Sequence, residues 1–87
     1  MYVIFVYDFG EKRVSKILRL CRRYLNWIQN SVFEGELSEV RLKELLLLAK
    51  GVMNPEEDCI IIFKGATQCS LEKEIVGKEL ANIDNFL

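Results

Sequence analysis

The run Tyr2-Val3-Ile4-Phe5-Val6-Tyr7-Asp8 constrains this chain more than any other stretch. Valine, isoleucine, phenylalanine and tyrosine suit a pleated surface, so the run predicts a strand. Side chains alternate along a strand, which puts Ile4, Val6 and Asp8 on one face and Val3, Phe5 and Tyr7 on the other. Both faces are apolar, so both need covering. Asp8 falls at the carboxyl end, where Phe9 and Gly10 break the run. An acid in that place is either a turn residue ahead of the next element or a metal ligand.

The rest of the chain alternates helical and extended patterns. Val14, Ile17, Leu18, Cys21 and Leu25 recur every three or four residues and predict a helix from Glu11 to Tyr24, ended at Asn26. The run from Trp27 to Phe33 reads as a second strand, closed by Glu34-Gly35-Glu36. Ser38 is a good N-cap for a second helix that runs to about Met53, with Leu42, Leu45, Leu46 and Ala49 buried. Asn54-Pro55 stops it. Cys59 to Phe63 predicts a third strand, apolar on both faces, and Gln68 to Val76 a weaker one whose Glu72, Lys73 and Glu74 suit a sheet edge. The order becomes βαββαβ if the Trp27–Gly35 region forms two short strands or if the last strand pairs with the third. The expectation is one α+β domain of ferredoxin-like βαββαβ type, with two helices on one face of the sheet.

That arrangement leaves the second sheet face bare although it is apolar. A chain of 87 residues buries only a little over roughly 60 % of its unfolded surface. Yet 51 % of its residues are hydrophobic, more than a small monomer easily hides. A second copy packed face to face would cover the sheet and give a twofold homodimer. The competing arrangement folds the tail over the sheet within one protomer.

Composition narrows the chemistry. There is no histidine, and Cys21, Cys59 and Cys69 form no Cys-x-x-Cys pair, which disfavours the usual zinc sites. Three free thiols suit a reducing, cytoplasmic setting. The apolar runs fall well short of the roughly 18 residues of a membrane span, and Met-Tyr-Val lacks the basic start of an export signal. Net charge is −1, but Lys12, Arg13, Lys16, Arg19, Arg22 and Arg23 crowd one helical stretch in which Glu11 is the lone acid. Like charges at Lys12–Lys16 and Arg19–Arg23 repel, and a phosphate backbone would relieve them. A solvated helix face is the plainer account. Trp27 is the aromatic candidate for base stacking, against packing on the first helix. In a face-to-face dimer two Asp8 carboxylates would approach one axis, where a hard divalent ion such as Mg²⁺ would neutralise them. Tyr7 and Ser31 are candidate supporting hydroxyls.

Val-Tyr-Asp at 6–8, Lys-Arg-Val at 12–14 and Ile-Gln-Asn-Ser-Val-Phe-Glu-Gly at 28–35 are similar to the small CRISPR-associated protein two family. The third-strand run and the late Val-Gly-Lys extend the resemblance over nearly the whole chain. It implies a ferredoxin-like homodimer with sheets packed face to face. It also implies an additional C-terminal strand or tail at 78–87, exchanged onto the partner. The implied activity is a metal-dependent endonuclease of single-stranded RNA or double-stranded DNA, with Mg²⁺ or Mn²⁺ as cofactor. Asp8 matches the family acid, Arg13 a family arginine and Phe33 the family phenylalanine. Glu11 and Trp27 stand where some members carry basic residues. A second implied role is a scaffold that bridges CRISPR integrase dimers and holds DNA during spacer acquisition in antiviral defence.

Overall fold

The computed structural model describes residues 1–67 and 70–78. In chain order the elements are β1 (Tyr2–Asp8), α1 (Val14–Arg22), β2 (Asn26–Gln29), β3 (Val32–Glu36), α2 (Glu39–Val52), β4 (Cys59–Gly65) and β5 (Glu72–Gly77). They form a five-stranded antiparallel sheet in the order β2-β3-β1-β4-β5. Strands β1 to β4 with the two helices make the βαββαβ unit, and β5 adds a further strand beside β4. Of the expected tail at 78–87, Lys78 is described and the rest lies outside the described residues, as do Gln68 and Cys69.

β1 takes the centre because it is apolar on both sides. It pairs with β3 (Phe5 opposite Phe33) and with β4 (Phe5 opposite Ile62). Val3, Phe5 and Tyr7 face the helices and bury with Ile17, Cys21, Phe33, Leu45, Ala49, Ile60 and Ile62. The other face carries a second cluster, Val6, Cys59 and Ile61, flanked by half-buried Ile4, Val32, Phe63 and Ile75. The alternation expected for β1 is therefore the alternation observed.

Trp27–Phe33 is a hairpin rather than one strand. Asn30 turns the chain at φ 45°, a left-handed conformation that asparagine tolerates better than most residues. The Trp27 indole N–H donates to the Asn30 carbonyl across the turn at 2.9 Å. The positive φ thus belongs to Asn30 and not to Asn26, which opens β2. α1 is also shorter than its pattern implies. Residues Glu11 to Arg13 form a turn, and α1 starts at Val14, which stands partly exposed instead of joining the buried stripe. In α2 the Ser38 hydroxyl accepts from the Arg41 N–H, as its N-cap position predicts. Leu42, Leu45 and Ala49 are buried, whereas Leu46 is half-buried. β5 exposes Glu72, Lys73 and Glu74, and Glu74 pairs with Lys64 of β4.

Candidate functional site

Asp8 ends β1 opposite Cys59 of β4, with its side chain exposed. It shares the second sheet face with Ile4 and Val6. Tyr7, Asp8, Phe9, Val14, Asn30 and Ser31 line a pocket of about 300 Å³ at this end of the sheet. Two loops wall it, the β1–α1 connection and the β2–β3 turn. Tyr7 is buried on the helix side, stacked on Phe33 at 6.2 Å and edge-on to Phe9 at 5.7 Å. Burial pushes its hydroxyl pKa upward. Its backbone N–H donates to the Ser31 carbonyl at 3.1 Å, tying β1 to the turn. Phe33 is fully enclosed in the helix-side core, so it supports Tyr7 from within one protomer.

Burial is also the main cause that raises the Cys59 thiol, with the Asp8 charge second. Cys21 is pushed up to about 12 by burial alone. Neither thiol is poised as a nucleophile or soft-metal ligand.

Arg13 is positioned by a side chain that the sequence reading overlooks. Asp58 is buried at 0 % exposure. Its Oδ2 accepts from Arg13 Nε at 2.5 Å and from the Asn54 N–H at 2.8 Å. Its Oδ1 accepts from the Gly10 N–H at 2.8 Å and from Arg13 Nη2 at 3.0 Å. Glu57 takes a further Nη2 contact at 2.8 Å. The guanidinium, helped by the two backbone donors, holds the Asp58 pKa down to about 2. A Cβ on Gly10 would lie 2.6 Å from Arg13 Nη2, so a larger residue there would displace the end of the Arg13 side chain from this clasp. Two carboxylates surround one cation, which leaves the cluster with no positive charge to spare for a phosphate. The signal available in the sequence is Glu56-Glu57-Asp58 directly ahead of a buried strand: an acid so placed needs a cation partner.

The remaining cations, Lys12, Lys16, Arg19, Arg22 and Arg23, are exposed. Lys16, Arg19 and Arg23 recur at helical spacing and line a groove of about 400 Å³ against Leu20, Leu48 and Val52. Trp27 is 55 % exposed at the edge strand rather than packed away.

A divalent ion is implied by the resemblance, and the donors can be tested against it. Among the described residues no three acids, cysteines or histidines gather into a metal cluster. One protomer offers Asp8, a hard oxygen donor of the type Mg²⁺ prefers, and that ion keeps several waters beside one or two carboxylates. Asp8 would fit as one ligand of such a site, whose remaining ligands would have to come from outside the described donors of one protomer. Among the described residues no helix is long and apolar enough to cross a membrane.

The family model "CRISPR associated protein Cas2" matches residues 1–73. A Thermotoga maritima protein named CRISPR-associated endoribonuclease Cas2 is 44 % identical over 87 residues, covering 100 % of this chain and 99 % of its own. A Dictyoglomus turgidum protein of the same name is 43 % identical over 79 residues, 91 % of each chain. A solved structure titled "Crystal structure of cas2" superposes with a TM-score of 0.75 at 40 % identity, covering 93 % of this chain and 91 % of the other. With the fold and the sequence both matched along nearly their full length, this chain belongs to the CRISPR-associated Cas2 family.

Proposed function

We propose that this protein is a CRISPR-associated, divalent-metal-dependent endonuclease that works as a homodimer and cleaves RNA. The observation that carries the reading is Asp8: the one charged side chain on an otherwise apolar strand, exposed at the strand's end on the second sheet face. Packing two such faces together would bury the clusters around Val6 and Ile61. It would also bring two Asp8 carboxylates toward one twofold axis. Mg²⁺ or Mn²⁺ held there would acidify a bound water and offset charge on the phosphodiester, which suits a chain without histidine. Exposed Lys12, Lys16, Arg19, Arg22 and Arg23 offer phosphate contacts, while Arg13 serves the loop that follows Asp8. Tyr7, Ser31 and Phe33 support the strand end. The relatives' names specify ribonuclease action, which favours RNA over duplex DNA. Buried thiols at Cys21 and Cys59 agree with a cytoplasmic setting.

A second reading, a DNA-holding scaffold for the CRISPR integrase, draws on the same row of cations. Asp8→Asn separates the two. The nuclease reading predicts that cleavage of single-stranded RNA falls at least a hundredfold and that excess chelator has the same effect on wild type. It predicts an unchanged fold, since asparagine is nearly isosteric. Cleavage at the wild-type rate by Asp8→Asn would exclude the Asp8 site. Loss of cleavage with retained DNA integration would leave the scaffold as the role in adaptation.

A further inference from the structure

α2 is apolar on more of its circumference than the core uses. Leu42, Leu45 and Ala49 face inward, yet Val40 is 73 % exposed, Leu47 72 % and Leu48 41 %. Val40, Leu47 and Gly51 follow each other at seven and four residues, so they lie along one line of the helix. Leu48 and Val52 run beside that line and form the apolar side of the groove against α1. Glu44 interrupts that line between Val40 and Leu47, and the leucines grouped beside it form an exposed apolar surface that another chain can cover.

Gly51 is the second observation. It is the penultimate residue of α2, where glycine is still a weaker helix former than leucine. A Cβ there would meet nothing within 4 Å, so nothing inside the protomer demands glycine. Absence of a side chain beside exposed leucines allows another backbone to approach closely. The opposite wall of the groove supplies the charge: Lys16 and Arg19 of α1, with Arg23 just past its end. Glu44 of α2 is engaged by the Tyr24 hydroxyl and by Arg41, and so does not neutralise that wall.

We propose that the α1–α2 groove and the outer line of α2 receive an acidic amphipathic helix from a partner protein. Its leucine-like side chains would cover Leu47, Leu48 and Val52, and its carboxylates would meet Lys16, Arg19 and Arg23. Charge and hydrophobicity together choose this occupant. A nucleic acid would use the cations but leave Val40 and Leu47 bare. A second copy would set its own Lys16, Arg19 and Arg23 against these. Occupation of the groove withdraws those three cations from phosphate and leaves Lys12 and Arg22, which do not line it. The proposal does not depend on catalysis, so its failure and the failure of the nuclease reading are separable.

The test uses the full chain and a fluorescein-labelled synthetic helix of about two heptads, with leucine at positions a and d and glutamate on the flanks. Anisotropy should show binding at about 10 µM or tighter. Leu47→Ser and Arg19→Ser should each weaken it at least tenfold. Both side chains are exposed, so melting curves should confirm that the variants fold. Gly51→Leu should weaken binding as well, yet raise the melting temperature, because leucine is the better helix former. Equal binding of a peptide with lysine in place of glutamate, or of one with its leucines scrambled, overturns the proposal. So does Leu47→Ser acting instead on single-stranded RNA affinity, on adhesion to phosphatidylglycerol vesicles or on the sedimenting mass. Those results would name nucleic acid, membrane or a second copy as the occupant.

Discussion

Asp58 has no contact with water and yet carries a charge, because Arg13 and the Gly10 and Asn54 N–H groups surround it. It joins the loop after β1 to the loop after α2, and Cys59 beside it pairs with Asp8. Its folded pKa is lowered to about 2, so the linkage has a definite sign. A carboxylate depressed on folding stabilises the protein above its unfolded pKa and loses that contribution as pH falls through the folded one. Melting temperature should therefore drop as pH falls from about 4 toward 2. Asp58→Asn should melt lower at neutral pH, by on the order of 10 °C, since it removes the main charge partner of the half-buried Arg13 guanidinium and sets an amide among donors. It should also lose less over the acid range than wild type does. Identical acid slopes would mean that Asp58 is not the group responsible. Asp8 is legible in the sequence because a charge interrupts an apolar alternation. Asp58 is legible only as an acid ahead of a buried strand that needs a cation, because that cation stands 45 residues away and neither local pattern names it.

At the scale of elements, periodicity carries most of the fold. β1, α2 and β4 follow directly from their apolar spacing, and Ser38 marks the start of α2. The hairpin β2–β3 is harder to read. Its turn is Asn-Ser rather than the Asn-Gly that would signal two paired strands, and its strands are short and partly polar. The early part of α1 is lost for a different reason: Arg13 is held by Asp58, and helical geometry begins at Val14, three residues after the expected start at Glu11. The left-handed turn at Asn30 makes a prediction. Asn30→Val should cost about 1–2 kcal/mol, because a β-branched residue resists positive φ. Asn30→Gly should leave stability within about 0.5 kcal/mol of wild type or raise it. Urea denaturation of the two variants checks this, and equal costs for valine and glycine would show that the turn does not need its left-handed residue.

The whole molecule presents two sheet faces of unequal history. One is covered by α1 and α2 over buried residues of β1, β3 and β4, and the other gathers Val6, Cys59, Ile61 and their neighbours around the strand that ends in Asp8. Apolar content beyond what so short a chain can hide points from the sequence toward a twofold partner. Which atoms would complete the proposed metal site is not legible from one chain, because a site shared between two copies would draw ligands from both. The central claim is that two Asp8 carboxylates act in one dimeric site. Subunit mixing tests it most directly: wild type and Asp8→Asn are unfolded together, refolded at equal concentration and assayed on single-stranded RNA with Mg²⁺. If both carboxylates are required, only wild-type pairs cleave, and activity should be about a quarter of that from the same total of wild type. Activity of about one half, as for independent subunits, would contradict the shared site.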